Sequence, residues 1–429
     1  MHFVFESITN KEEFYNLSSC DDINVSGIRR FTPSPIVTVL YRFSRNNPSL
    51  NVTMSTAPLF SDEPYIIATG VAHSPDGWAE APYGSNTTPF DHLNKQYRHD
   101  LKWGKAYLLL DQSHEGYHEP WLWGWFHDKC VKYDIPAQKI IYVTGNMNSY
   151  DQYNAWADKH GLIDEVRLNV FPYSHFELAM ASMIPESNLP TIKHQLRYKK
   201  QNVNSIKLYD CLQKRPRNHR AWLFCKLHEQ NLLDRGINTM NAFNQNNAFM
   251  EGKDLPDDQY NAVKDILPMY PPNETDNHTY ESQDCGQFLI KYNEDIMLKT
   301  WLSIVSEAHY SDPDTKHTVF LSEKTFKPIA CSQPFIMYSN KGSLHRLREL
   351  GYMTFHPYID ETYDTLETFD RMEAIINELK RIDSFTPKQK IIWLKSLSSI
   401  LTHNRNHLER LANAPSINIM KQFRKLFYV

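Results

Sequence analysis

Four short stretches of the chain carry residue types that could do chemistry. His114-Glu115-Gly116-Tyr117-His118 reproduces the H-E-x-x-H pattern of zinc-dependent proteases. On a helix, histidines four residues apart share one face and grip the metal, while the glutamate takes a proton from its water. Here the apolar run Ala106 to Leu110 reads as a buried strand ending near Asp111, and Pro120 opens an amphipathic, tryptophan-rich run. Proline is comfortable in the first turn of a helix and disruptive inside one. The spacing therefore predicts strand, loop, helix, with HEGYH in the loop.

The second stretch, Lys214-Arg215-Pro216-Arg217-Asn218-His219-Arg220, follows an apolar segment and enters a helix, gathering cations at the end of a strand. In the third, Ser322 is a plausible N-cap for Glu323-Lys324, so first-turn amides would face an anion and Lys324 would add a full charge. Glu323 is suited to the hydroxyls of a ribose. A capped surface helix with an ordinary charge pair fits the same residues. The fourth, Asp312-Pro313-Asp314, mimics a D-x-D metal motif, but proline between the carboxylates predicts a turn.

The elements that must position these residues alternate in the manner of an α/β protein. In the first part, strands at Tyr65–Thr69, Ala106–Asp111, Lys139–Thr144 and Val166–Val170 are separated by helices at Pro120–Tyr133 and Ser149–His160. Such alternation implies parallel sheets. Pro185 to Lys200 contains two prolines and the basic run Arg197-Tyr198-Lys199-Lys200, and reads as an interdomain connection. Alternation then resumes. A strand at Ser205–Asp210 precedes a helix at Arg220–Leu233 ended by Gly236; a strand at Trp301–Ser306 precedes a helix opening near Ser322. A strand at Pro334–Tyr338, a helix at Ser343–Leu350 and a closing helix near Ile417–Phe427 complete the pattern, while Asn244–His278 reads as irregular. Trp121, Trp123, Trp125 and Phe126 fall at helical spacing, which favours core packing over ligand stacking.

The 429 residues, 41% of them hydrophobic, can bury two cores, and a formal net charge of -4 excludes a uniformly basic surface. With 14 glycines the chain has neither G-x-G-x-x-G nor G-x-x-x-x-G-K-[ST], so a phosphate would have to be met by side chains and helix ends. The six cysteines show no C-x-x-C spacing and read as reduced structural thiols. No apolar run has the length of a signal peptide or a membrane span, so a soluble cytoplasmic protein is expected.

The segment Ile304–His309, Ser322-Glu323-Lys324 and Gln333-Pro334-Phe335, together with the arginine-rich turn, resembles the donor-binding half of the α1,3-fucosyltransferases, which are GT-B glycosyltransferases. The resemblance covers roughly Ile206 to Tyr352. It implies that Glu323 meets the nucleotide ribose and Lys324 the diphosphate, with Arg220 as the diphosphate arginine and Arg217 its rival. A looser similarity runs through KRPRNHR, SEKTFKPI, QPFI, GSLHRLRELGYMTF and D-x-S-x-E-G-Y at Asp111–Tyr117. These look like glycosyltransferase-like proteins of large tailed phages. Some phage enzymes of the GT-B class place glucose or arabinose on 5-hydroxymethylcytosine in DNA, which suggests an acceptor.

The reading that follows is a GT-B-like α/β protein with two Rossmann-like domains facing a central cleft. Residues 1–195 would bind the acceptor and residues 196–429 the nucleotide sugar. A UDP- or GDP-linked sugar would be the co-substrate, with no metal and no permanently bound cofactor. Arg217, Arg220, Lys324 and the helix end at Ser322 would meet the leaving diphosphate. Glu115 would be the general base, with Asp111 or His114 able to share that role, and His118, Tyr117, Arg197 and Lys199 would contact the acceptor. Hydroxymethylcytosine in phage DNA is the first candidate acceptor, and a glycan or lipid the alternative. A zinc hydrolase and a non-catalytic carbohydrate-binding or assembly protein are the rival readings. A monomer or weak dimer is expected, in the cytoplasm of an infected host if the protein is phage-encoded.

Overall fold

Two seven-residue strands, Ala106–Gln112 and Thr300–Ser306, are buried at every position, as strands of a parallel sheet covered on both faces must be. Each lies inside one of two sheets. The computed structural model describes residues 2–5, 36–37, 40, 53–55, 63–68, 88–91, 93–113, 115–116, 121–184, 189–213, 217–240, 294–310, 317–413, 421–423 and 425–426. Among these, the chain forms two α/β units of Rossmann-like build. One comprises Met1–Ala179, Tyr280–Phe288 and Ala414–Val429; the other comprises Met180–Thr279 and Leu289–Asn413.

The first unit contains β1 (His2–Phe5), β2 (Thr53–Ser55), β3 (Tyr65–Ala68), β4 (Ala106–Gln112), β5 (Ile140–Thr144) and β6 (Asn169–Pro172). Their order is β2-β1-β3-β4-β5-β6, and every pairing is parallel. Leu108, Leu110, Ile140 and Tyr142 project from one face into a core with Trp123 and Phe126 of the Leu122–Tyr133 helix. Trp123 meets the Tyr142 ring edge-on at 5.8 Å. Trp123 and Phe126 thus pack the core, Trp125 lies against it, and Trp121 is exposed.

The second unit contains β7 (Lys207–Leu212), β8 (Gly236–Thr239), β9 (Thr300–Ser306) and β10 (Phe335–Tyr338), ordered β10-β9-β7-β8 and again parallel throughout. Gly236 caps the short 3-10 helix Leu233–Arg235 and opens β8, while the α-helix of this stretch stops earlier than expected. The preceding helix ends at Glu229, and a Cβ at position 236 would come within 2.4 Å of the Tyr209 ring, so only glycine fits beside that tyrosine.

Two other expectations are corrected. Residues 192–201, read as part of a connection, form the helix Ile192–Gln201, capped by the Thr191 side chain on the His194 amide. The prolines lie before it, where they do not interrupt its hydrogen bonds. The strand expected at Val166–Val170 begins only at Asn169, after a 3-10 turn at Asp164–Val166. Asn244–His278 and Asp312–Asp314 lie outside the described residues. Cys130, Cys211, Cys225 and Cys331 are buried and form no disulfide among the described residues. No described helix is long and apolar enough to cross a membrane.

Candidate functional site

In the second sheet, β8 lies on one side of β7 and β9 on the other. Connections leaving neighbouring strands in opposite directions open a crevice at their C-terminal ends, where α/β proteins characteristically bind ligands. Residues from both sides meet there. Arg217, in extended backbone, starts the helix Asn218–Glu229 after β7. Its guanidinium donates to the Ala308 carbonyl, and Arg220 Nη2 donates to the carbonyls of Ser306 at 3.4 Å and Glu307 at 3.2 Å. His219 Nε2 lies 3.1 Å from the Glu307 carbonyl. Since a carbonyl only accepts, that nitrogen carries the proton. One helix start thus holds the chain as it leaves β9.

The same stretch reaches the helix Glu323–Ala330. Glu307 is fully buried, and its carboxylate accepts the Ser322 amide at 2.9 Å, the Ser322 hydroxyl at 2.5 Å and the Thr325 hydroxyl at 2.6 Å. Ser322 is the N-cap, its Oγ accepting the Lys324 amide. The cap is therefore where the sequence puts it, but an internal carboxylate already serves this helix end. An incoming anion would meet side-chain cations in place of the expected amides. Lys324 Nζ lies 2.7 Å from Glu323 Oε1 and 3.2 Å from Ser322 Oγ, so the two charged residues of the motif are paired with each other.

The electrostatics follow from burial among cations. Burial, reinforced by Arg217, pushes the Arg220 guanidinium down to about 9. His309 is pushed down to about 3, first by burial and then by Arg217, Arg220 and Lys324, so it stays neutral. His309 is 7% exposed, yet among the described residues its Nε2 has no hydrogen-bond partner. Ser306 Oγ, Thr318 Oγ1 and Gln213 Oε1 are likewise buried without one. Buried polar atoms are almost always paired, so these atoms at a strand-end crevice mark where a ligand could pair. Glu307 and His309 fall in the segment Ile304–His309 noted for its resemblance, but neither is among the expected site residues. The signal available was position alone, in the residues just past an apolar strand.

In the first unit, Asp111 is fully buried near the end of β4, where its carboxylate accepts the amides of Ser113 at 2.9 Å and Ile36 at 3.1 Å. Glu115 is half-buried, its amide donating to the Gln112 carbonyl and its carbonyl accepting from Gly145. Glu115 and Gly116 have no regular secondary structure, in keeping with a loop after β4. His114, Tyr117 and His118 lie outside the described residues. Asp111 and Glu115 are thus brought near one strand end.

Arg197 and Lys199 fall elsewhere, on the Ile192–Gln201 helix. Arg197 is exposed, whereas Lys199 is fully buried and donates to Gln195 Oε1, to Gln333 Oε1 at 2.9 Å and to the Met297 carbonyl at 3.1 Å. Gln333 in turn donates to Thr300, whose hydroxyl donates to Asp210. Lys199 is part of this internal network and does not face an acceptor.

No protein-family model matches the chain, and no curated protein matches it. Among solved structures, α,α-trehalose-phosphate synthase (UDP-forming) from Burkholderia vietnamiensis overlaps 76% of this chain and 70% of its own, at 12% identity and a TM-score of 0.36. UDP-GlcNAc 2-epimerase from Neisseria meningitidis, bound to UDP-GlcNAc, overlaps 98% and 99% at 8% identity and a TM-score of 0.34. A putative UDP-N-acetylglucosamine 2-epimerase from Listeria monocytogenes overlaps 98% and 97% at 6% identity and a TM-score of 0.35. Overlap this loose assigns neither ligand nor activity, so function rests on the residues of the site.

Proposed function

We propose that the chain is a glycosyltransferase of the GT-B type that uses a nucleotide diphosphate sugar, and that its second unit holds the donor. The observation that carries this reading is the buried His309 Nε2, without a hydrogen-bond partner among the described residues, in the field of Arg217, Arg220 and Lys324 at the β7–β9 switch point. Fixed cations at that place suit a diphosphate, and a neutral imidazole can donate a hydrogen bond to one of its oxygens. Glu323, paired with Lys324, would accept from a ribose diol. In the reaction, the acceptor oxygen bonds to the anomeric carbon of the sugar. The bond from that carbon to the diphosphate breaks, and its electron pair leaves with the nucleoside diphosphate. The acceptor proton passes to Glu115. Preorganised positive charge lowers the barrier because it meets charge that develops on the leaving group.

The acceptor suggested by the phage resemblance, hydroxymethylcytosine in duplex DNA, rests on the basic segments at Arg197–Lys200 and Lys214–Arg220. Lys199 is committed internally and Lys214 and Arg215 are outside the described residues, so the geometry supports transfer to a hydroxyl without adding support for a DNA groove. Two measurements test the reading. Thermal shift with a panel of nucleoside diphosphates and their sugars should raise the melting temperature for the true donor by mass action. Incubating hydroxymethylated DNA with the panel and weighing its nucleosides tests the DNA acceptor. A panel that leaves the melting temperature unmoved would remove the donor assignment.

A further inference from the structure

A second row of buried polar groups lies past the C-terminal edge of the first sheet. Gln112 of β4 pairs with Thr144 of β5, and Thr144 with Pro172 of β6, so Ser113, Gly145 and Tyr173 follow in one row. Backbone bonds hold that row: Gly145 donates to Gln112 at 3.2 Å and Tyr173 to Thr144 at 2.9 Å. Ser113, Tyr173 and Ser174 are 0%, 6% and 9% exposed, and among the described residues the hydroxyl of each has no hydrogen-bond partner. Asp111 binds the Ser113 amide at 2.9 Å. The Tyr173 hydroxyl is held in its protonated form, well above its ordinary value, by burial first and then by the carboxylates of Asp111 and Glu177.

The charge around this row differs in kind from that of the donor site. Lys105, Lys139 and Arg167 directly precede or sit just before β4, β5 and β6, at the opposite edge of the sheet. Past the C-terminal edge, among the described residues, the charges that bear on Tyr173 are the carboxylates of Asp111 and Glu177, while the His175 ring, 6.5 Å away, is held neutral by burial at about 4. That field repels phosphate. Hydroxyls that both donate and accept match a ligand that is itself a set of hydroxyls.

We infer that Ser113, Tyr173 and Ser174, in the field of the Asp111 and Glu177 carboxylates, form a binding site for an uncharged, hydroxyl-rich ligand, a sugar ring or polyol. Where the transferase reading holds, this makes the acceptor a glycan or polyol hydroxyl, but the site is read from the first unit alone. The test is saturation-transfer NMR on the full chain with methyl glucoside, methyl galactoside, methyl mannoside and myo-inositol, and with inorganic phosphate as the anionic probe. At least one neutral probe should bind and phosphate should not compete. Tyr173→Phe and Ser113→Ala, each removing one hydroxyl, should weaken that probe by roughly fivefold to tenfold, with circular dichroism confirming the fold. No signal from any neutral probe, competition by phosphate, or equal affinity in both variants would overturn the site. Titrating UDP and GDP into the same samples reports on the second unit separately, so a failed donor reading cannot be mistaken for a failure here.

Discussion

The carboxylate of Glu307 accepts both the amide and the hydroxyl of Ser322, at 2.9 and 2.5 Å, and so ties the helix carrying Glu323 and Lys324 to the end of β9. Removing it strands buried donors. Glu307→Ala should cost about 3 kcal/mol or more of stability in the second unit, since each unsatisfied buried group costs about 1–3 kcal/mol. Glu307→Gln, which keeps one acceptor oxygen, should cost less. Urea unfolding gives the comparison, and a midpoint unchanged in the alanine variant would contradict the anchoring role.

Lys324 and Glu323 are paired with each other, and that pairing sets the order of their effects on donor binding. Lys324→Ala removes a charge-assisted contact and should weaken nucleoside diphosphate binding roughly tenfold to a hundredfold. Glu323→Ala loses ribose hydrogen bonds but releases Lys324 to the phosphates, so its effect should be smaller. Calorimetry on both variants checks the order; a larger loss for Glu323→Ala would reverse the assigned roles.

His309, held down to about 3, and His175, pushed down to about 4 by burial, are neutral in the folded chain. The unfolded chain protonates such residues near pH 6.5, while the folded chain does so only near these lower values. Stability is therefore full above about pH 6.5 and falls as the pH is lowered, by up to about 1.4 kcal/mol per pH unit for each histidine, levelling below the folded values. His309→Asn should make the decline between pH 6 and 4 shallower in a denaturant series at fixed pH. An unchanged slope would mean that this histidine is charged in the fold.

Glu115→Gln preserves shape and removes basicity. Turnover should fall by roughly a hundredfold or more while nucleotide affinity persists. Full activity in that variant would move the base to Asp111 or His114.

The α/β class and the parallel strands were legible because β4, β5, β7 and β9 are apolar runs bounded by turn residues, and because Ser322 marks a helix start. Lys199 was not legible as a core residue. A basic run reads as surface, and only the tertiary placement of Gln195, Gln333 and the Met297 carbonyl around its ammonium reverses that. Glu307 and His309 were hidden for a related reason. Their roles depend on Arg217, Arg220 and Ser322, which are distant in sequence and adjacent only once β9 lies beside β7. Gly236 illustrates the same limit at the backbone level, since its need for a missing Cβ comes from Tyr209 on the neighbouring strand.

The measurement closest to the central claim is calorimetric titration of the full chain with UDP and GDP, repeated on Arg217→Ala and His309→Ala. The account predicts saturable binding of at least one nucleotide by the wild-type chain, weakened roughly tenfold or more in both variants, whose circular dichroism stays that of the wild type. Absence of binding to either nucleotide, or binding that both variants retain in full, would contradict a diphosphate site at the ends of β7 and β9.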